Sequence, residues 1–218
     1  ALWAALDLGR RMPLMMLSVV TMLLVRPHMA ALMVIALTVA ILLNSKFRMS
    51  NKILLSVIVI GMSAYLVPFS LQYVGLNGVI DLDILMNYFE TLQSYNTMGA
   101  GGIDVASMNF PMQLFTYMFR PIIFEAWSLF ALAASIDNLI LLYLFVAGSR
   151  ILLVRGKKNY QESRIFMWLY SLMAWVILAL TSANLGISIR QKWMFAPMLI
   201  FLFISVIGKK RVIIVSKK

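Results

Sequence analysis

The chain has no cysteine and one histidine, His28, in 218 residues. The first absence removes any disulfide framework and any thiolate metal site. The second removes a polyhistidine zinc centre. Charge is scarce too: 12% of residues are Asp, Glu, Lys or Arg, where an ordinary soluble domain carries roughly 25%. Acids are the scarcer sign, with 8 against 19 basic residues and a net charge of +11. Apolar side chains fill the difference, at 62% of the chain and a mean hydropathy of +0.91. That is the composition of an all-α integral membrane protein, and it excludes a soluble enzyme. It excludes a nucleic-acid binder as well, because the basic residues bracket apolar runs in the positive-inside pattern and do not line one polar face. The pattern calls for no metal and no cofactor. The chain opens inside an apolar stretch, ALWAAL, with no initiator Met and no signal-peptide layout. It therefore reads as a single membrane domain over 1–218, a fragment of a longer protein.

Arg10 and Arg11 precede the run Met12–Val25, Arg26-Pro27-His28 interrupts, and Met29–Leu43 follows. Each run makes roughly 21 Å of helix against a hydrocarbon core of roughly 30 Å. One long helix kinked at Pro27 competes with a hairpin of two short helices. The hairpin places Arg10, Arg11, Lys46, Arg48 and Lys52 on one side, as the positive-inside rule prefers, and is the expectation. Ile53–Leu71 reads as a span kinked near Pro68. Residues 76–111 hold Asp81, Asp83, Glu90 and Asp104 with no Lys or Arg, which suits an extracytoplasmic loop. Within it, Val79–Leu92 has the spacing of a surface amphipathic helix. The stretch GAGGIDVASMNFP then reads as a Gly-rich lid; no Lys follows its glycines, unlike a phosphate loop.

Asn109–Asn138 organises the rest, because this membrane-grade apolar stretch carries Arg120, Glu125 and Asp137. Ionisable groups at bilayer depth are expensive and persist where they face a polar cavity or one another. Arg120 directly precedes Pro121, where a helix cannot simply continue. The expectation is a half-helix over Met112–Phe119, a break at Arg120–Pro121, and a full span over Ile122–Val146. At such a break an Arg can aim its fork at an anionic ligand; the alternative is an Arg snorkelling to the headgroups. The span returns to a basic loop with Arg150, Arg155, Lys157, Lys158 and Arg164. Ile165–Leu180 goes out, TSANLGISIRQK forms an outer turn, and Trp193–Ile207 comes back. The sum is a polytopic helical bundle of about six spans, with short or broken helices, one long outer loop and both ends inside.

In that topology Arg26, Arg120, Arg190 and Lys192 fall on the outer side, against the orientation bias, each beside a break or turn. A pyrophosphate presented from the outer leaflet accounts for them, since Arg offers phosphate paired donors and Lys a point charge. The same cluster would stabilise charge developing on a phosphate leaving group. His28 and Glu125 are candidate bases for deprotonating a sugar hydroxyl. Glu125 has an alternative, structural role as the partner of Arg120 or a neighbour, and His28 one as an interfacial residue at a helix turn. Asp137, ~24 Å down its helix from Pro121, reads as a bundle-internal hydrogen bonder with Asn138, remote from the cluster.

Three segments, VRPHMAALM, NFPMQLFTYMFRPIIFEA and TSANLGISIRQKWMFAP, resemble the multi-pass proteins of bacterial surface-polysaccharide (O-antigen or capsule) clusters. That group includes O-antigen-polymerase-like (Wzy-type) proteins. The resemblance implies a glycosyltransferase of the cytoplasmic (inner) membrane, acting at its outer face on undecaprenyl-pyrophosphate-linked glycans. It implies arginines on the pyrophosphate, here Arg26, Arg120 and Arg190, and polysaccharide export or chain-length proteins as partners. Such polymerases have about twice as many spans as this chain. Two other readings stay open: a flippase or transporter for the same lipid-linked glycan, and a non-catalytic membrane subunit. The few polar mid-span residues (Ser135, Asp137, Asn138) weigh against transport, and the outer cations weigh against a mere scaffold.

Overall fold

The computed structural model describes residues 1–43 (Gly9 excepted), scattered positions between 49 and 95, residues 102–155 (Ala106 and Trp127 excepted) and 164–216. Among the described residues every regular element is a helix, as an apolar chain that must satisfy its own backbone requires. The chain forms two units, Ala1–Ile80 with Asn159–Ala174, and Asp81–Lys158 with Trp175–Lys218.

The first unit begins with α1 (Leu2–Ala5), α2 (Met12–Val25) and α3 (Pro27–Leu43). Proline stands in the first turn of α2 and opens α3, the places where its missing N–H costs least. Between the helices Arg26 leaves the helical region, at φ −148° and ψ 88°, as steric conflict with the following proline ring requires. α2 and α3 pack against each other, so the segment is a hairpin and not one kinked helix. Met29, Met33, Leu37 and Ile41, four residues apart along α3, are fully buried. Arg11 ties α1 down, donating from Nη1 to the Trp3 carbonyl at 2.9 Å with its guanidinium 4.1 Å from the Trp3 ring centroid.

The second unit holds α4 (Phe110–Phe119), a 3₁₀ turn (Ile123–Glu125) and α5 (Leu129–Arg155). α6 (Ile165–Thr181) is divided between the units at Ala174–Trp175, and α7 (Leu185–Lys192) and α8 (Ala196–Ser216) belong to the second. α5 and α8 pack on each other where Gly148 meets the Phe203 ring; a Cβ on Gly148 would sit 2.8 Å from Phe203 Cγ. Beside that contact Phe119, Phe145, Trp175 and Phe203 form edge-to-face pairs with centroids 5.4–6.3 Å apart. Trp175 Nε1 donates to the Leu114 carbonyl at 3.0 Å, giving the half-buried indole a partner.

Leu129–Val154 is long and apolar enough to cross a membrane, and only 17% of its apolar window is buried inside the protein. At ~1.5 Å per residue those 26 residues reach about 39 Å, more than the hydrocarbon thickness. Leu185–Lys192 and Ala196–Gly208 pass the same test only together, bent by 61° at the break between them. α2, α3 and α6 are shorter apolar helices.

Several expectations change. The half-helix and its break are present, but α5 begins at Leu129 and not at Ile122, and it runs on to Arg155. The delay arises because Glu125 folds back: its N–H donates to Ile122 O at 2.8 Å and its carboxylate accepts from Ile122 N at 3.1 Å, closing a 3₁₀ turn. TSANLGISIRQK is not a plain turn, since it contains α7, which Asn184 Oδ1 caps by accepting from Gly186 N at 2.9 Å. The span at Ile53–Leu71 and the surface helix at Val79–Leu92 lie outside the described residues for most of their length. So does the glycine cluster of GAGGIDVASMNFP up to 101; from Gly102 on, Ile103 N donates to Ala183 O at 2.9 Å.

Candidate functional site

The site is built from the break after α4. Asn109 opens that helix by accepting from Met112 N at 3.1 Å, and Pro111 occupies its first turn. At the other end Arg120 turns extended (φ −97°, ψ 152°) while its N–H still donates to Thr116 O at 3.1 Å. The Arg120 side chain meets Glu125 across the break. Its Nη2 lies 2.6 Å from Oε1 and its Nε donates to Oε2 at 3.0 Å. That is the paired, planar geometry in which a guanidinium fork also grips phosphate. The pair is partly open, with the two side chains 21% and 31% exposed. Around it the surface is apolar: Ile122 and Ile123 are exposed and Phe124 is 94% exposed.

Asn138 fixes where this break sits. Its Nδ2 donates to Pro121 O at 3.0 Å, and its Oδ1 accepts from Lys192 Nζ. Both Asn138 and Lys192 are buried, Lys192 to 2% exposure. Asp137, next along α5, is close enough to act on the Lys192 charge. α4 and α7 therefore end at one buried amide. The two helices also flank a narrow cleft of ≈ 200 Å³, open mouth included, whose polar wall is Gln113, Thr116, Tyr117, Ser182, Asn184 and Ser188. A last-turn lysine also answers the carbonyl end of its own helix, which helps a buried cation persist.

No family model, curated protein or solved structure matches the chain.

The expected site residues divide as follows. Arg120 and Glu125 are together, and Lys192 reaches the same break through Asn138. Lys192 is thus a buried strut and not an outer-surface cation. Arg190 is exposed and donates from Nε to Gly186 O of its own helix at 3.2 Å. Arg26 and His28 belong to the first unit. There Arg26 O accepts from Met29 N and Ala30 N at the start of α3, and His28 Nδ1 is buried with no hydrogen-bond partner. Glu125 already accepts from two guanidinium nitrogens and one backbone N–H, an arrangement that suits an anchor better than a free base.

Asn138 is the internal hydrogen bonder that the sequence suggests, buried and paired on both sides of its amide, but it lies at the break and not remote from it. The expected distance of ~24 Å from Pro121 to Asp137 assumes one unbroken helix from Ile122. Because the 3₁₀ turn packs against α5 and does not extend it, Asn138 comes back onto Pro121. The available signal was a carboxylate-amide pair, Asp137-Asn138, in an otherwise apolar run.

Proposed function

We propose that the chain is a multi-pass inner-membrane protein acting as a glycosyltransferase or polymerase on polyprenyl-pyrophosphate-linked glycans in surface polysaccharide biosynthesis, at the outer face of the membrane. The observation that carries this is the Arg120 fork at a helix break. It is partly exposed, rimmed by apolar side chains, and tied to a long helix whose apolar surface is mostly not buried by protein. A cation in that setting has a use if its ligand is an anion carried on a lipid. Arg120 holds the pyrophosphate, and its charge stabilises the phosphate as leaving group when the glycan moves to a sugar hydroxyl. Lys192 adds positive potential from behind the break through Asn138. Arg190 remains a proposed member of the site, as an additional phosphate donor.

A second reading, a non-catalytic membrane subunit, draws on one observation: Arg120 and Lys192 each already have an internal partner. Glycan laddering separates the two in cells that lack the protein and are complemented with Arg120→Ala or Arg120→Lys. The polymerase reading expects Ala to abolish long chains at normal membrane abundance and Lys to fail to restore them, since Lys lacks the paired fork. Full ladders from both variants would make Arg120 an anchor and put the subunit reading first.

A further inference from the structure

The Arg120–Glu125 pair has three features that belong together. First, it is two-pronged: Nη2 to Oε1 at 2.6 Å and Nε to Oε2 at 3.0 Å. A carboxylate so placed fills the donor pair that two phosphate oxygens would use. Second, the loop presents Glu125 deliberately, through the 3₁₀ turn and the Ile122 N–H that donates to Oε2 at 3.1 Å. Third, the residues that link the two partners along the chain include Ile122, Ile123 and Phe124, all exposed and apolar.

Depth follows from Asn138. Pro121 O is bonded to it, and Asn138 lies nine residues past Leu129, or about 14 Å along α5. If α5 spans, the fork sits within the hydrocarbon thickness and not among the headgroups. An aqueous anion would have to cross lipid to arrive there. An anion attached to a hydrocarbon tail is drawn in from the side by its own chain.

We infer that Glu125 is a built-in stand-in for the anionic ligand of Arg120, and that the ligand is a phosphorylated lipid which reaches the break laterally and displaces the carboxylate. The inference rests on the proposed reading of Arg120 as an anion site and adds the route and the occupant it must replace. Ligand and carboxylate compete for one fork and repel each other, so removing the Glu125 charge while keeping its shape strengthens binding. A carboxylate that merely braced the loop would have the opposite signature, because its loss would loosen Arg120.

The test uses the full 218-residue chain in lipid nanodiscs, with polyprenyl pyrophosphate in the bilayer as one probe and inorganic pyrophosphate in solution as the other. Glu125→Gln is expected to bind the lipid-borne probe about tenfold more tightly than wild type, the loss of one competing charged pair. Free pyrophosphate should bind weakly to both proteins. In the wild type, the lipid-borne probe should speed hydrogen exchange at the Ile122 amide as Glu125 leaves it, a readout that needs no substitution. Unchanged or weaker binding by Glu125→Gln, together with unchanged Ile122 exchange, overturns the stand-in. If Arg120→Gln still abolishes binding in that case, the proposed function survives. Equal binding of the two probes overturns the lateral route, and failure of every protein to bind either probe overturns inference and function together.

Discussion

Asn138 is the side chain on which the second unit turns. An amide can donate and accept at once, and here it gives its N–H to Pro121 O and its oxygen to Lys192 Nζ, all within a buried setting. Pro121 O is a carbonyl at a break, without a following helical turn to satisfy it, and Lys192 is a cation that cannot stay buried alone. Asn138→Ala strands both. The expected loss is about 1–3 kcal/mol of stability, more if Lys192 stays charged and dry. Because the larger part of that loss comes from the orphaned cation, adding Lys192→Met should recover much of it; replacing both partners of a buried polar pair with apolar groups is often near neutral. Thermal unfolding of the detergent-purified single and double variants checks this. Strictly additive losses would show that Asn138 and Lys192 do not act as a pair.

The contact between α5 and α8 depends on a missing side chain. Gly148 lets the Phe203 ring lie directly on the α5 backbone, with Phe203 Cγ 2.8 Å and Phe203 Cβ 3.0 Å from where a Cβ would be. Small residues serve helix pairs this way wherever backbones must approach. Gly148→Ala gains intrinsic helix propensity yet must push Phe203 off Phe145, so the clash should dominate, at about 1–3 kcal/mol of destabilisation. Adding Phe203→Leu, which removes the ring that collides, should return part of it in the same thermal assay. A Gly148→Ala protein as stable as wild type would mean that α8 simply shifts outward.

How far these elements can be read from sequence follows from which forces define them. The half-helix ending at Arg120 is legible because Pro121 imposes it locally. The hairpin at Arg26–Pro27 is legible for the same reason, helped by arms too short to span. The start of α5 is not, because Glu125 reaching back to Arg120 and Ile122 is a side-chain event that apolar periodicity does not register. Nor is α7: its polar composition resembles a surface turn, and only the Asn184 cap and the burial of Ser188 and Lys192 make it an inward-facing helix. The site was accordingly half visible. The cation and the acid could be named, while the amide that sets their depth was hidden behind a misplaced helix start.

Taken whole, the molecule is defined by an imbalance between apolar surface and protein available to cover it. α5 leaves most of its apolar window unburied, with Leu129, Phe130, Tyr143, Leu153 and Val154 exposed. A soluble protein would not leave such a helix bare, so lipid is the natural cover, and α5 becomes the element by which the rest is placed. Its C-terminal end carries Arg150 and Arg155 and leads into a stretch with Lys157 and Lys158, whereas residues 76–111, upstream of its N-terminal end, hold four acids and no Lys or Arg. On the proposed membrane reading, the positive-inside rule predicts that α5 runs with Arg155 toward the cytoplasm. Cysteine scanning in a background that already lacks cysteine gives a direct check. Ser107→Cys, at an exposed position before α4, should react with an impermeant maleimide added outside intact spheroplasts. Asn159→Cys should react only after the membrane is opened. Labelling of both from one side would mean that α5 does not cross, and the depth assigned to the Arg120 break would fall with it, since that depth is measured along α5 from Leu129 to Asn138.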